Sequence, residues 1–145
     1  MENEFVTYEI AKLLKELNFD EPCLAWYYFN EENSSYALNS FKQDYGDKFD
    51  WWKYSELDSD VYVDHLIAPL WQQVINWLRE KYNISVEPNF SFDTRSTGFK
   101  FNGIDGCIRY LDSGESNTTY LCEINNYYEA RRLAILNALD KIKKV

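Results

Sequence analysis

The stretch Ala68–Asn83, APLWQQVINWLREKYN, has the strongest helical pattern in the chain and predicts a helix in the middle of the sequence. Its apolar residues recur at intervals of three and four and make one continuous stripe of Trp71, Val74, Ile75, Leu78 and Tyr82. Pro69 suits a first helical turn, where its missing N–H would have had no partner. We expect this stripe in a core, with Trp77 on its flank. We expect Gln72 and Gln73 on a solvated face.

Beyond Asn83 the apolar residues alternate with polar ones, as in strands that bury one face and expose the other. Such runs, at 84–92, 99–101, 108–110 and 120–124, are separated by segments rich in turn residues. The pattern predicts an antiparallel β-meander of about four strands. Pro88 lies inside the first run and indicates an edge strand or a break in it.

The N-terminal part of the chain predicts a helix and a hairpin. Thr7–Asn18 has apolar residues at helical spacing, with Thr7 in the N-cap position. Trp26–Phe29 is a run of aromatic residues that suits a strand, and Tyr36–Phe41, across the turn NEENSS, is a candidate return strand. Because alternate side chains point to opposite faces, the aromatic strand is either covered on both faces or presents one aromatic face to a partner.

The C-terminal segment, NNYYEARRLAILNALDKIKK, predicts a last helix. Asn126 and Glu129 have the spacing of a capping arrangement, and lysines near the end complement the helix dipole. Its apolar stripe contains Ala130, Leu133, Ala134, Ala138 and Leu139. Together these patterns predict a single α+β domain over residues 1–145. In it about three helices pack on one face of the antiparallel sheet, and an N-terminal hairpin is a further candidate.

Charge is divided unevenly along the chain. Residues 1–66 carry 15 acidic and 5 basic residues, a net charge of -10, whereas residues 67–145 carry 9 acidic and 10 basic residues, a net charge of +1. Such an asymmetry concerns partners more than fold. It disfavours phosphate binding by the acidic half, because nucleic-acid affinity depends on lysine and arginine.

Composition also indicates a compartment. The N-terminus, MENEFVTYEI, lacks the basic and apolar regions of a secretory signal. No window approaches the roughly 18 apolar residues of a membrane-spanning helix. The three cysteines are an odd number. We therefore expect a cytoplasmic protein with reduced thiols, in which Cys107 and Cys122 are buried and Cys23 is the candidate for exposure.

Catalytic and metal-binding patterns are weak. The only histidine, His65, follows Asp64, and an enzyme that uses this pair is the weakest of three functional classes. A candidate Ca²⁺ or Mg²⁺ group, which lacks the glycine and closing glutamate of an EF-hand loop, comprises Asp58, Asp60, Asp64 and His65. The sequence contains no motif for zinc, phosphate or dinucleotide binding. We expect neither an enzyme nor a bound metal or cofactor.

Residues 42–66 are the strongest candidate for partner binding. Trp51 and Trp52 are adjacent, so in regular structure they point in different directions and at least one lies near the surface. Acidic residues surround them, and Asp58, Asp60 and Asp64 are candidate contacts. Because tryptophan dominates protein interfaces, the segment predicts a non-enzymatic protein-binding module. Packing of both tryptophans against the sheet is an equally good interpretation.

The C-terminal half resembles a double-stranded-RNA-binding domain in its order of helix, meander and helix, and EARRLAILNAL is similar to the last helix of that family. Tyr127 and Tyr128 stand where the family has lysines, and four strands are predicted instead of three. Without these lysines, the phosphate contacts that the resemblance implies for this chain are weakened. The alternative function is nevertheless a nucleic-acid-binding module that uses Arg109, Arg131, Arg132 and Lys141.

Three stretches are similar to small uncharacterised proteins encoded by phages and prophages of Bacteroides-type gut bacteria: FVTYEIAKLLKELNFDEPCLAWYY, APLWQQVINWLREKYNI and YYEARRLAILNALDKI. The resemblance spans both ends and the middle of the chain. It carries no established activity and implies a setting, that of an accessory protein in the cytoplasm of a bacterial host. The partner implied is a host or phage protein, and mimicry of nucleic-acid charge is a variant of this hypothesis.

Overall fold

The computed structural model describes residues 4–40, 65–91, 96–102, 108–112 and 127–144. Their elements run in the order α1 (Tyr8–Glu16), β1 (Ala25–Asn30), β2 (Ser35–Ser40), β3 (Leu66–Ala68), α2 (Trp71–Tyr82), β4 (Ser85–Ser91), β5 (Ser96–Asn102), β6 (Ile108–Asp112) and α3 (Tyr127–Lys144). The predicted α+β class with antiparallel strands is confirmed. The fourth predicted strand of the meander, at 120–124, lies outside the described residues.

The chain divides into two compact units, Met1–Gln73 and Val74–Val145. The described strands of the first unit form an antiparallel sheet in the order β2-β1-β3, and those of the second unit form one in the order β4-β5-β6. The N-terminal hairpin expected from the sequence is β1–β2. The prediction of a single domain over 1–145 stays a prediction.

Helix α1 is defined by local signals at both of its ends. At its start the Oγ1 atom of Thr7 accepts a hydrogen bond from the amide of Ile10 at 3.5 Å, which confirms the predicted N-cap. At its end Asn18 adopts a left-handed conformation with φ of 60°. The next amide, that of Phe19, then donates to the carbonyl of Leu14 at 2.9 Å. Phe19 and Leu14 are both buried.

A short connection before α2 ties the N-terminus to the first sheet. The amide of Val6 donates to the carbonyl of Pro69 at 3.0 Å, and Phe5 forms a bridge with Leu70. The helix begins only at Trp71, so the prediction that Pro69 occupies its first turn is wrong. The backbone of this connection is extended because it pairs with the N-terminal segment. Phe5, Ala25 and Ala68 form a buried cluster here, with Leu24, Tyr27, Leu38 and Leu70 packed against it.

Helix α2 buries the predicted stripe except for Tyr82, which is half-buried, and one of its glutamines makes structural hydrogen bonds. Trp71 is buried as expected, and Trp77 is buried as well. Gln73 Oε1 accepts from the amide of Leu70 at 2.9 Å, and its Nε2 donates to the carbonyl of Pro22 at 2.7 Å. The expectation of a solvated Gln73 is therefore wrong in part, because the side chain is half-buried and joins the start of α2 to a distant loop. Gln72 is exposed.

In the second unit α3 packs against β4, β5 and β6. Pro88 lies within an unbroken β4 at one end of the described strand order, in agreement with an edge strand. The buried residues of α3 include Ile135, which the predicted stripe omits, whereas Leu133 is half-buried. The helix is thus turned slightly relative to the predicted stripe.

Candidate functional site

The residues predicted to bind a partner lie outside the described residues, so their role stays a prediction: Trp51, Trp52, Asp58, Asp60 and Asp64. The segment that contains them joins β2 to β3, which lie on either side of β1 in the first sheet. The β1–β2 hairpin has a similar composition, with exposed aromatic residues on its strands and two exposed glutamates in its turn.

One face of this hairpin changes from buried to exposed along its length. Ala25, at the start of β1, is fully buried. Tyr27, on the same face, is half-buried, and Phe29 beyond it is 47% exposed. On β2, Leu38 lies opposite Tyr27 and is half-buried. Tyr36 lies opposite Phe29 and is 41% exposed, so large aromatic side chains continue past the point where the core ends.

The exposed rings form a connected group with Tyr8 of α1, and we call Tyr8, Phe29 and Tyr36 the hairpin aromatic surface. The rings of Tyr8 and Tyr36 are stacked, with centroids 3.9 Å apart and planes at 19°. Phe29 contacts Tyr36 edge to face at 5.3 Å, and Tyr8 contacts Tyr27 in the same manner at 6.0 Å. Such aromatic pairs contribute about 0.5–1.5 kcal/mol each beyond the area they bury, so they hold the exposed rings in one arrangement.

The pKa of Tyr8 is raised from 10.0 to about 12, mainly by side-chain hydrogen bonding with Tyr36. Partial burial and the charge of an ionised Tyr36 act in the same direction. Tyr8 therefore stays protonated throughout the neutral range and adds a hydroxyl group, without a charge, to the surface.

Replacing Tyr36 with phenylalanine keeps the ring and removes the hydroxyl group. We expect the pKa of Tyr8 to fall from about 12 toward 10.0, because the hydrogen bond that raises it is lost. The native contribution to stability is complete below the unfolded pKa and declines as pH rises toward 12, so Tyr36→Phe should show a shallower alkaline decline. NMR titration of ring-labelled tyrosine measures this pKa, and an unchanged value in the variant would contradict the hydrogen bond.

The turn that closes the hairpin carries two carboxylates. Glu31 and Glu32 follow β1 directly, and both are exposed. The amide of Glu32 donates to Asn30 Oδ1 at 3.0 Å, and Ser34 adopts a positive φ of 50°, so local contacts order the turn. Residues 16–41 contain no lysine or arginine, and the hairpin itself therefore carries only negative charge.

His65, the candidate for catalysis and cation binding, packs with aromatic rings on the other face of β1. Its ring centroid lies 4.5 Å from that of Trp26, which in turn lies 5.3 Å from that of Tyr28. All three side chains are half-buried. Within the described residues, no three histidine, cysteine, aspartate or glutamate side chains are grouped to hold a metal ion. Asp64, the partner of His65 in that hypothesis, lies outside them.

Two residues of the nucleic-acid alternative are engaged within α3. Arg131 is only 9% exposed, and its guanidinium lies 5.3 Å from the ring centroid of Tyr128. Arg132 Nε donates to Glu129 Oε2 at 2.9 Å, and its Nη2 atom donates to the other carboxylate oxygen. This pairing lowers the pKa of Glu129. Both arginines therefore have a reduced capacity to contact a phosphate.

Arg109 and Lys141 are the other two residues of the nucleic-acid alternative. Arg109 lies in β6 opposite Phe101, and Lys141 is half-buried in the last turn of α3. Asn126, the predicted capping partner of Glu129, lies outside the described residues. The described elements from α2 to α3 do follow the predicted order of helix, antiparallel strands and helix.

Cys23 does not form a reactive site. The expectation that it is exposed is wrong, because the side chain is fully buried and its Sγ atom donates to the carbonyl of Glu21 at 3.3 Å. Burial raises the pKa of the thiol, and the nearby carboxylates of Glu21 and Asp20 act in the same direction. Thiol chemistry depends on the thiolate, so this cysteine acts as a small packing residue. Cys107 and Cys122 lie outside the described residues.

The hairpin aromatic surface is not among the site residues that the sequence predicts. Its sequence signal is a pair of strands joined by the turn 31–34, which sets Phe29 opposite Tyr36. This signal does not predict whether the rings of Phe29 and Tyr36 are exposed or buried. Tyr27 and Phe29 share a face and an aromatic character, yet they differ in what covers them.

No described helix is both long and apolar enough to cross a membrane. No protein-family model, curated protein or solved structure matches the chain. The chemistry of the hairpin aromatic surface therefore carries the functional argument.

Proposed function

We propose that this chain is a non-enzymatic protein-binding module that serves as an accessory protein of a phage or prophage in the cytoplasm of a bacterial host. The observation that carries the proposal is the exposure of Phe29 and Tyr36, which ring contacts hold in place beside an acidic turn. Ordered aromatic side chains of this kind dominate interface energetics when a partner buries them. The acidic segment 42–66, with Trp51 and Trp52, follows β2 in sequence and is the second segment that we propose for partner binding.

The alternative, nucleic-acid binding by residues of the second unit, has one observation in its favour. The described order α2-β4-β5-β6-α3 is the order that suggested a double-stranded-RNA-binding domain. Its binding chemistry is weaker, because Arg131 is buried and Arg132 is paired with Glu129. Counterion release requires cations that are available to phosphates, and we therefore rank protein binding first.

Affinity capture from a bacterial host lysate, with and without phage infection, tests the proposal. The native protein is compared with two multiple variants, Phe29→Ala/Tyr36→Ala and Trp51→Ala/Trp52→Ala/Asp58→Lys/Asp60→Lys. We expect a specific partner whose retention falls by about tenfold or more in at least one variant, since loss of a hot-spot residue has effects of this size. Circular dichroism verifies that each variant is folded.

Tyr128→Ala is the matched control for this capture. Tyr128 is 57% exposed and is the other large exposed aromatic residue in the described part of the chain. Its removal should leave the partner bound. A partner that all variants retain equally would contradict the use of both proposed surfaces.

A further inference from the structure

We propose that the hairpin aromatic surface binds a cationic peptide segment, whose arginine or lysine side chains lie on the exposed rings beside Glu31 and Glu32. The inference rests on the proposed function and names the chemistry of its partner. Phe29 and Tyr36 supply ring surface that solvent reaches, and the exposed glutamates begin two residues after Phe29. A cation bound here meets the negative face of a ring and a carboxylate at the same time.

The chain uses this chemistry internally, in α2 and α3. Lys81 Nζ lies 5.4 Å from the ring centroid of Trp77 and 5.6 Å from that of Tyr82. Arg131 lies over Tyr128 at a similar distance of 5.3 Å. In each case a cation on the same helix covers the ring. Residues 16–41, which contain the hairpin, have no lysine or arginine, so no cation of the hairpin itself can cover Phe29 or Tyr36, and the partner is the source that we propose.

Charge distinguishes this occupant from three others. A symmetric contact with a second copy would bring the glutamates of both copies together, on molecules that each carry a net charge of -9. Nucleic-acid bases stack on aromatic rings, but the phosphates would then face Glu31 and Glu32. An uncharged apolar segment would cover the rings and gain nothing from the carboxylates. A cationic segment complements both features of the surface.

The test titrates the full chain with short fluorescent peptides in which glycine and serine separate arginine, lysine or, as a control, glutamine residues. We expect the arginine and lysine peptides to bind with an affinity that falls as salt is added, and the glutamine peptide not to bind. Amide resonances of Tyr8, Phe29 and Tyr36 in NMR spectra should report the site by shifting during the titration.

Three variants separate the contributions to this binding. Phe29→Leu/Tyr36→Leu keeps an apolar surface without aromatic faces and should weaken arginine-peptide binding by about tenfold, which is equivalent to ~1.4 kcal/mol. Glu31→Gln/Glu32→Gln should weaken it by about threefold and reduce its salt dependence, because exposed charges contribute less. Tyr128→Ala should change the affinity by less than about twofold, because Arg131 already lies over the ring of Tyr128 in the native protein.

Several outcomes would overturn the proposal. Equal affinity of the leucine variant and the native chain would make the surface merely apolar. The surface would have a different occupant if the glutamine peptide or a single-stranded oligonucleotide bound to it, or if the protein self-associated in sedimentation. Each of these results counts only if it is lost when Phe29 and Tyr36 are replaced. If a lysate partner requires the hairpin but the cationic peptides do not bind, this inference fails and the proposed function stands. If the peptides bind there but no lysate partner requires the hairpin or residues 42–66, the proposed function fails instead.

Discussion

Replacement of Phe19 with alanine is expected to lower the free energy of unfolding by about 3–5 kcal/mol. Phe19 is only 1% exposed and is the largest of the fully buried side chains in the described part of the chain. Its backbone also closes α1, since its amide donates to the carbonyl of Leu14. Alanine keeps that backbone bond but removes the ring and leaves a cavity. A loss of this size is a large fraction of the ~5–15 kcal/mol by which domains are stable.

Urea denaturation followed by circular dichroism measures this loss, and Phe29→Ala is the matched control. Phe29 is the same residue type on β1, but it is 47% exposed and its ring contact with Tyr36 is on the surface. We expect its replacement to cost about 1 kcal/mol or less, the size of one aromatic pair. Equal losses in the two variants would contradict the burial of Phe19 and the description of Phe29 as a residue available to a partner.

The helices of this fold could be predicted from the sequence because their signals are local. Thr7 caps α1 as expected, and the stripes of α1 and α2 enter cores because spacing alone determines which residues share a helical face. The hairpin could be predicted for the same reason, since strands with aromatic residues flank a turn of polar residues. Positive φ at Asn18 and Asn83 ends α1 and α2, and asparagine is one of the few residues that tolerates this conformation.

Burial outside the helical stripes, and the hydrogen-bond partners of single polar side chains, could not be predicted because they depend on segments that are distant in sequence. Cys23 is buried and Gln73 is bonded to Pro22, although their local sequence suggested exposure. A charged residue such as Arg131 is expected at the surface, but Arg131 is buried and its guanidinium lies over the ring of Tyr128. The exposure of Phe29, on which the candidate site depends, is set by where the packing around Ala25 ends. The partner-binding role of Trp51 and Trp52 stays a prediction.

Replacement of Gln73 with methionine is expected to lower the free energy of unfolding by about 1–2 kcal/mol, mainly because the part-buried amide of Leu70 is left without a hydrogen bond, whereas water can reach the exposed carbonyl of Pro22. Methionine keeps the approximate volume and removes both polar atoms. The amide of Leu70 then loses its acceptor, and the carbonyl of Pro22 loses its donor. The exposed neighbour Gln72 is the control, and Gln72→Met should change the stability less than Gln73→Met does.

Gln73→Glu separates the contributions of the two hydrogen bonds that this side chain makes. A carboxylate still accepts from the amide of Leu70, and its charge is favourable at the N-terminal end of α2. It cannot donate to the carbonyl of Pro22, and its charge repels that oxygen atom. We therefore expect a stability between those of the native protein and Gln73→Met in urea denaturation at neutral pH. Native stability in Gln73→Glu would contradict the expectation that losing the bond to Pro22, 51 residues away in sequence, costs more than the carboxylate gains at the start of α2.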